Sequence, residues 1–318
     1  MKKVLITGAT GFLGSWVTRV LASDDYEVTA VAREHSDLYR LQNIRNCQII
    51  RLNENKWCGL IEKIEPNILL SFDWSGVSGL ERNSEAQSNN IRRVLGLAEQ
   101  AISSDVELFF TFGSQAEVGP MSLLISESAE LQPTTEYGRT KAKLLTDLST
   151  IFYNSNTKFI WGRVFSTYGP LDSPNWFIPQ MITALLNSDE FDMTLGEQNW
   201  NYLHAYDFAL AVNRIIDCKD IKGIVNIANT EQIKLIDLAR TVQSSIATTG
   251  QINIGAVAYR EDQVMNLIPD VSVLTKIGWS PQVQIEMGVS ELINWMSGNI
   301  STTTTPIICK LDIPRYEK

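Results

Sequence analysis

The chain has 318 residues, of which 44% are hydrophobic, and it carries a formal net charge of −9 at pH 7. This length is enough for one large domain or two coupled lobes with a substantial buried core. The acidic balance argues against nucleic acid or an anionic membrane as the main partner, and no apolar run reaches the roughly 18 residues of a membrane span.

Short apolar strands alternate with helical patterns along the first half of the chain. The start runs directly into a buried strand at 3–7, so we expect no signal peptide. Further strands are predicted at 28–32, 47–52, 68–72, 108–112 and 158–164, and helices at 12–21, 84–103 and 135–153. Strands that are buried on both faces and alternate with helices predict an α/β fold with a doubly wound parallel sheet.

The composition of the sequence changes after about residue 165, where loops rich in Gly and Pro precede a last helix at 285–296. This composition predicts a smaller α/β C-terminal lobe that closes over the sheet. The predicted units are a first domain over 1–165 with a return segment near 202–228, a second lobe over 166–201 and 229–300, and a tail over 301–318. The threonine run in the tail predicts poor order.

Cysteine and histidine usage restricts the compartment and the metal chemistry. The cysteines lie far apart in the chain: Cys47, Cys58, Cys218 and Cys309. Scattered cysteines are typical of free thiols in a reducing cytoplasm, where we expect this protein to reside. The only histidines are His35 and His204, and without a Cys/His cluster we predict no metal site.

A glycine-rich turn, Thr-Gly-Ala-Thr-Gly-Phe-Leu-Gly over 7–14, follows the first strand and opens the first helix. Glycines let the backbone approach a pyrophosphate, and the helix N-terminus supplies unpaired N–H groups and a partial positive charge. Between a strand and a helix, this pattern predicts a Rossmann-type dinucleotide site rather than a simple tight turn. The predicted cofactor contacts in the turn are Gly8, Thr10, Gly11, Phe12, Leu13 and Gly14.

The end of the second strand bears on which dinucleotide is bound. An acidic residue there holds the ribose hydroxyls of NAD, whereas an arginine accommodates the 2′-phosphate of NADP. Ala32 offers no hydrogen bond, and Arg33 can pair with a phosphate. We therefore predict NADP(H), with NAD(H) as the alternative if Arg33 is only a solvated surface residue.

Tyr137 and Lys141 stand four residues apart in a predicted helix, so their side chains share one face. A neighbouring ammonium and the positive nicotinamide of an oxidised cofactor favour the phenolate, and we expect them to lower the tyrosine pKa from about 10. Ser114 follows the fifth strand, at the sheet edge that faces the ligand crevice, and can donate to a substrate carbonyl oxygen. The alternative for Ser114 is a turn-capping role.

Together these motifs resemble the extended short-chain dehydrogenase/reductases that act on nucleotide sugars, also called NAD-dependent epimerase/dehydratases. The resemblance extends to about Met296. It implies that Ser114, Tyr137 and Lys141 are catalytic, that the cofactor also contacts Tyr137 and Lys141, and that Asn90 supports the cofactor and active site.

Landmarks in the C-terminal half also resemble family segments and imply substrate contacts. Ser166 stands where family members often have an asparagine that contacts the nucleotide diphosphate. Trp200 replaces a family arginine and either stacks on a base or sugar or serves in packing. Arg260 matches the position of a diphosphate-binding arginine. The full set of predicted substrate contacts is Trp74, Ser114, Gln115, Ser166, Trp200 and Arg260.

One departure from the family pattern follows the fourth strand. Family members usually have His-Leu-Ala-Ala there, and this chain has Ser-Phe-Asp-Trp over 71–74. The bulky Trp74 predicts a modified substrate or nicotinamide pocket. Asp73 is either an additional polar contact or a cap at the strand end.

The residues after Ser114 narrow the reaction that the resemblance implies. Family dehydratases carry Asp-Glu at this point, and reductases that first epimerise C3 and C5 carry a cysteine, whereas this chain has Gln115 and Ala116. A C4 keto-reductase or a C4 epimerase remains. Ala32 and Arg33 favour reduction with exchangeable NADPH, because the epimerases usually have an acidic residue at the position of Ala32.

The resemblance therefore implies an NADPH-dependent C4 keto-reductase of a nucleotide-activated 4-keto-6-deoxy sugar, a precursor for surface polysaccharide such as O-antigen. Tyr137 would protonate the developing alkoxide, Ser114 would hydrogen-bond it, and Lys141 would tune Tyr137 and hold the nicotinamide ribose. An NAD-dependent C4 epimerase and a non-catalytic dinucleotide-sensing scaffold are the alternatives. Family members commonly dimerise through the helices predicted at 84–103 and 135–153, which implies a homodimer.

Overall fold

The described part of the chain is built around a seven-stranded parallel sheet. The structure, a computed structural model, describes residues 1–53, 59–77, 79–85, 87–120, 124–260 and 263–316, so Cys58 lies outside the described residues. The strands are β1 Lys2–Thr7, β2 Tyr26–Arg33, β3 Cys47–Leu52, β4 Ile68–Ser71, β5 Leu108–Ser114, β6 Lys158–Val164, β7 Ser166–Tyr168, β8 Phe191–Met193, β9 Asn199–Trp200, β10 Tyr202–His204, β11 Gly223–Ile227, β12 Ile233–Lys234 and β13 Ile252–Ile254. The helices are α1 Phe12–Ala22, α2 Leu60–Ile64, α3 Gln87–Ser103, α4 Glu136–Phe152, α5 Phe177–Leu186, α6 Ala205–Asp217, α7 Leu235–Ser244, α8 Ser272–Lys276, α9 Ile285–Met296 and α10 Pro306–Lys310. Short 3₁₀ helices cover Tyr39–Leu41, Gly79–Asn83 and Gln115–Glu117.

The order of the strands confirms the predicted doubly wound sheet. They run β11-β6-β5-β4-β1-β2-β3, and every neighbouring pair is parallel. Because β1 lies between β2 and β4, the connections diverge at this point and leave a crevice at the carboxyl ends of the two central strands. The bounds of β3, β6 and α9 match the predictions. α3 begins at Gln87, later than predicted, because a 3₁₀ helix and a turn occupy residues before it.

Helices cover both faces of the sheet, and alternate residues of β1 face opposite layers. Val4 and Ile6 belong to the apolar cluster that contains α1 and α6 residues such as Trp16 and Phe208. Leu5 belongs to the cluster formed with α3 and α4. This double coverage explains why the middle residues of the central strands are mostly apolar on both faces.

Beyond β6 the described chain forms three two-stranded sheets, which pair β7 with β10, β8 with β13 and β9 with β12. The chain returns to the central sheet through α6 and β11, which pairs with β6. The division into a dinucleotide-binding domain and a second lobe stays a prediction. No helix in the described ranges has the length and hydropathy needed to cross a membrane.

The C-terminal segment differs from the poorly ordered tail that the threonine run predicts. After a turn at 302–304, α10 buries Ile307 and Ile308, whose backbone N–H groups donate to Glu291 Oε1 at 2.9 and 3.1 Å. Trp295 Nε1 donates to the Pro314 carbonyl at 2.8 Å. The prediction was wrong because the apolar residues after the threonines provide a buried face for the helix.

Arg19 of α1 joins this C-terminal segment to the loop after β2. The side chain is 1% exposed. Its Nη2 donates to the carbonyls of Arg40 and Gln42, both at 2.8 Å, and its Nη1 donates to those of Leu311 and Asp312 at 3.4 and 3.2 Å. Burial lowers the pKa of Arg19 to about 10, so the guanidinium stays charged at neutral pH. The C-terminal segment is therefore part of the packing around α1.

Candidate active site

The glycine turn between β1 and α1 lies directly against the end of β4. Gly8 has φ +68°, and a Cβ on it would stand 2.5 Å from the Phe72 carbonyl carbon. A Cβ on Gly14 would stand 2.4 Å from the Gly8 oxygen. The Gly11 amide donates to that same oxygen at 3.0 Å. Side chains at Gly8 and Gly14 are excluded by this close backbone packing.

The N-terminus of α1 has the properties of an anion site. Gly11 is the N-cap and provides no side-chain cap, and the first turn contains no acidic residue. Thr10, Phe12 and Leu13 are partly buried around this turn, and Gly11 is exposed. Free helix amides beside a glycine cradle fit the pyrophosphate of a dinucleotide. The predicted cofactor residues of the turn therefore lie together in one place.

The loop after β2 carries positive charge at its base. Ala32 is buried, and Arg33 is exposed at the strand end. In the neighbouring β3, Arg51 Nη1 donates to the carbonyls of Glu34 and Ser36 at 2.6 and 3.0 Å. Arg51 thus fixes the turn that presents Arg33, a role the sequence analysis missed because it depends on the pairing of β2 with β3.

Ser114, Tyr137 and Lys141 come together at the carboxyl end of β5. Ser114 lies close enough to Tyr137 for its hydroxyl to lower the pKa of the phenol. Lys141 Nζ donates to the Phe112 carbonyl at 2.6 Å. Ser114 Oγ also accepts from the Ala116 amide at 3.2 Å, so it caps the following 3₁₀ helix as well as contacting the tyrosine.

The electrostatics of Tyr137 differ from the expected lowering of its pKa. Burial is the largest influence and raises the pKa of Tyr137, while the charge of Arg82 and the hydrogen bond from Ser114 oppose it. The guanidinium carbon of Arg82 lies 4.5 Å from the centroid of the tyrosine ring. Burial also lowers the pKa of Lys141 to about 7, against the influence of Glu117. In the protein alone, burial of the phenol therefore outweighs the nearby cations, and the lowering expected with oxidised nicotinamide stays a prediction.

Trp74 lies against both residues of the Tyr-Lys pair. Its ring centroid is 3.4 Å from Lys141 Nζ, and its ring meets that of Tyr137 edge to face at 6.0 Å between centroids. Trp74 Nε1 donates to Gln87 Oε1 of α3 at 2.9 Å. Trp74 therefore forms one side of the catalytic cluster.

Asn90 of α3 holds the segment after β4. It accepts from the Ser75 amide at 3.1 Å and donates to the Ser75 carbonyl at 3.0 Å. Arg93 donates to Asn90 Oδ1 at 2.6 Å and forms an ion pair with Asp73 at 2.7 Å. In these contacts Asn90 fixes the backbone beside Trp74, and Asp73 pairs with a helix arginine.

Glu117 is a buried anchor beneath the cluster that the sequence analysis missed. It is 0% exposed, and it accepts from Arg163 Nε at 2.6 Å, from Trp161 Nε1 at 3.0 Å and from the Ser114 amide at 3.2 Å. The one signal in the sequence is a carboxylate placed just after Ser114 and before buried Val118. Its partners come from β6, which only the folded sheet brings near.

Two of the predicted substrate residues, Trp74 and Ser114, belong to the catalytic cluster described above. Gln115 follows Ser114 directly, and its Oε1 is buried and without a hydrogen-bond partner in the described structure. Trp200 Nε1 donates to Ser166 Oγ at 2.7 Å, so these two predicted contacts bind each other. Arg260 is exposed, and no contact within the described residues joins it to the catalytic cluster.

The fold and the site together define a dinucleotide-dependent α/β enzyme of the oxidoreductase type. A model of the NAD dependent epimerase/dehydratase family matches residues 4–228. The chain belongs to this family, which confirms the resemblance drawn from its motifs.

Individual relatives are distant but cover almost the whole chain. The chain is 24% identical to CDP-abequose synthase of Salmonella muenchen, with 92% of this chain and 97% of the relative covered. It is also 24% identical to dTDP-D-glucose 4,6-dehydratase of Mus musculus, covering 94% and 89%. Among solved structures, UDP-N-acetylglucosamine 4-epimerase from Methanobrevibacter ruminantium in complex with UDP-N-acetylmuramic acid matches with TM-score 0.84 and 22% identity, covering 94% of this chain and 99% of that one.

Proposed function

We propose that the chain is an NADPH-dependent C4 keto-reductase of a nucleotide-activated 4-keto-6-deoxy sugar. The observation that carries this proposal is the cluster of Ser114, Tyr137 and Lys141 at the edge of the crevice beside the glycine turn. The similarity to CDP-abequose synthase supports a nucleotide-sugar substrate. The resemblance drawn from the motifs is the basis for proposing a cytoplasmic role in forming surface-polysaccharide precursors such as those of O-antigen.

The residues of the glycine turn would hold the dinucleotide. The amides at the start of α1 fit its pyrophosphate, and Arg33 fits a 2′-phosphate. Reduced nicotinamide, when bound, supplies the hydride for C4 of the sugar. The cofactor assignment follows from the residue types at these positions, with NAD(H) as the alternative.

Tyr137 is the proton donor in this proposal. Burial raises its pKa, so the phenol keeps its proton at neutral pH and can give it to the developing C4 alkoxide. The Ser114 hydroxyl donates a hydrogen bond to the same oxygen as negative charge develops there. In its protonated form Lys141 places a positive charge close to Tyr137 and stabilises the phenolate that remains after proton transfer.

The residues after Ser114 support reduction over dehydration. Expulsion of water needs an additional acid and base, and Gln115 and Ala116 provide neither at neutral pH. The nearest carboxylate in this stretch, Glu117, is bound to Arg163 and Trp161 and is buried. Ala32 at the end of β2 supports an exchangeable NADPH over the retained NAD of an epimerase.

The test combines the purified protein, NADPH and a panel of 4-keto-6-deoxy sugars linked to CDP, dTDP or UDP. We expect loss of reduced nicotinamide absorbance with at least one of them and formation of the C4 alcohol, identified by mass spectrometry and NMR. Absence of NADPH oxidation with the whole panel contradicts the proposal. Co-purified NAD with interconversion of C4 epimers and no net cofactor use would instead identify an epimerase, and dinucleotide binding without either reaction would identify a scaffold.

We further propose a homodimer formed by the outward sides of α3 and α4. Four apolar residues of these helices face inward instead, with at most 4% exposure: Val94, Leu97, Leu144 and Leu148. They belong to the core of one chain, so they carry no information about dimerisation. The dimer proposal rests on the family resemblance alone.

Arg33→Ala is expected to weaken NADPH binding by about 10- to 100-fold, the effect of losing a charge-assisted contact to a phosphate. NADH binding should change little, because NADH has no 2′-phosphate. Nicotinamide fluorescence titration with both dinucleotides measures the ratio. Arg45→Ala is the matched control, since this exposed arginine precedes the amino end of β3, whereas Arg33 stands at the carboxyl end of the neighbouring β2. Equal losses for NADPH and NADH in Arg33→Ala would contradict the assignment.

A further inference from the structure

Lys141 is a buried ammonium with few partners. It is 4% exposed, and its hydrogen bond goes to the Phe112 carbonyl. No ion pair within the described ranges includes it. The acid that influences it, Glu117, is already paired with Arg163. The rings of Tyr137 and Trp161 lie farther from Nζ, with centroids at 5.9 and 6.0 Å. The face of Trp74, 3.4 Å away at its centroid, is therefore a principal compensation for the buried charge.

The indole of Trp74 is itself held in place. Its Nε1 donates to Gln87 Oε1, and Gln87 is 1% exposed. Gln87 Nε2 in turn donates to the carbonyls of Gly76 and Glu81 at 2.6 and 2.9 Å. Because the Gln87 amide is hydrogen-bonded through both its oxygen and its nitrogen, it fixes the plane of the Trp74 ring over the Lys141 ammonium.

We propose that Trp74 is a positioning residue that keeps Lys141 charged and fixed beside Tyr137. The electron-rich face of an indole attracts a cation but not a neutral amine, so it favours the protonated lysine. This inference rests on the proposed function, because the reductase needs a cation next to Tyr137 when the phenol gives up its proton. It assigns a specific task to the residue that departs from the family pattern after β4.

The proposal predicts a change in pH dependence with a definite sign. The pKa of Lys141 is about 7, and loss of the indole face should lower it, because only the charged form is stabilised by the ring. The other groups facing the site are Tyr137 on α4, Glu117 after β5, Arg82 in the 3₁₀ helix at 79–83, and the Asp73–Arg93 pair. A substitution at Trp74 keeps all of these groups in the protein and removes the edge-to-face contact with the Tyr137 ring.

The experiment follows the titration of Lys141 directly. Protein labelled with ¹⁵N-lysine is titrated by NMR, and the Nζ signal of Lys141 is assigned with Lys141→Met. Trp74→Leu is expected to increase the acid dissociation constant of Lys141 about tenfold, moving its midpoint about one pH unit lower. Trp74→Phe retains an aromatic face and should give a smaller change in the same direction. Trp176→Leu, which removes a partly exposed indole before α5, should leave the midpoint unchanged.

The pH profile of turnover gives a second readout. Activity is lost as pH rises through the Lys141 pKa, so the alkaline limb of kcat should move to lower pH in Trp74→Leu by the same amount as the NMR midpoint. A Lys141 midpoint that is unchanged in folded Trp74→Leu overturns the proposal. If Trp74→Leu does not fold, an unchanged midpoint in Trp74→Phe overturns it equally.

The titration also separates this inference from the proposed function. It is measured without substrate, so a shifted Lys141 midpoint in a protein that reduces no nucleotide sugar would leave the role of Trp74 intact and reject the reductase. Turnover of a keto sugar with an unshifted midpoint would retain the reductase and reject the role of Trp74.

Discussion

Tyr137→Phe is expected to lower kcat for keto-sugar reduction by about 10²- to 10⁴-fold, the contribution typical of a positioned general acid. Phenylalanine keeps the ring that contacts Trp74 and Arg82 and removes only the proton donor. NADPH binding and the free energy of unfolding should therefore stay close to those of the unmodified protein. Steady-state turnover of the keto-sugar substrate measures kcat, fluorescence titration measures NADPH binding, and urea unfolding measures the free energy of unfolding.

The matched control for this substitution is Tyr153→Phe. Tyr153 follows the same helix, but its side chain is 85% exposed and lies outside the catalytic cluster. It should retain full activity. Turnover in Tyr137→Phe equal to that of the Tyr153 variant would remove Tyr137 from the mechanism.

Glu117→Gln is expected to lower the free energy of unfolding by about 3–5 kcal/mol, because it leaves the Arg163 guanidinium buried without its counter-charge. Both side chains are 0% exposed, so water cannot compensate for the lost carboxylate. The Ser114 amide also bonds this carboxylate, and we therefore expect the catalytic serine to be displaced and turnover to fall. Urea unfolding monitored by circular dichroism measures the stability loss.

Glu136→Gln tests the same chemistry at the surface. Glu136 pairs with Arg139 at 2.9 Å on the exposed side of α4, where an ion pair contributes no more than about 1 kcal/mol. Replacing both buried partners, as Glu117→Leu with Arg163→Met, should recover part of the loss, because no unpaired charge remains. A loss in Glu117→Gln as small as that in Glu136→Gln would show that the buried pair contributes little.

The sheet and the cofactor turn could be predicted because their signals are local. The bounds of β3 and β6 follow from the residue types in these two segments. The glycines at 8, 11 and 14 stand between a strand and a helix. The spacing of Tyr137 and Lys141 on one helix face is likewise a property of the chain itself. These patterns need no knowledge of distant contacts.

Other parts of the site depend on contacts between elements that are far apart in the sequence. Glu117 acquires its role from partners in β6, and Arg82 approaches Tyr137 only because the segment at 79–83 lies over α4. The effect of burial on the Tyr137 pKa was not predicted, because burial is a property of the assembled site. The order of the C-terminal segment was missed because its stabilising partners, Glu291 and Arg19, lie elsewhere in the chain.

The buried guanidinium of Arg19 has a consequence for how the protein is made. Two of its four carbonyl acceptors belong to Leu311 and Asp312, which the ribosome adds 292 and 293 residues after Arg19. Until then a charged group at the interior side of α1 lacks half of its acceptors, and hydrogen bonds of this kind are costly to leave unmade. The packing around α1 is thus completed only after nearly three hundred further residues have been translated, and the nascent chain must avoid aggregation throughout that interval.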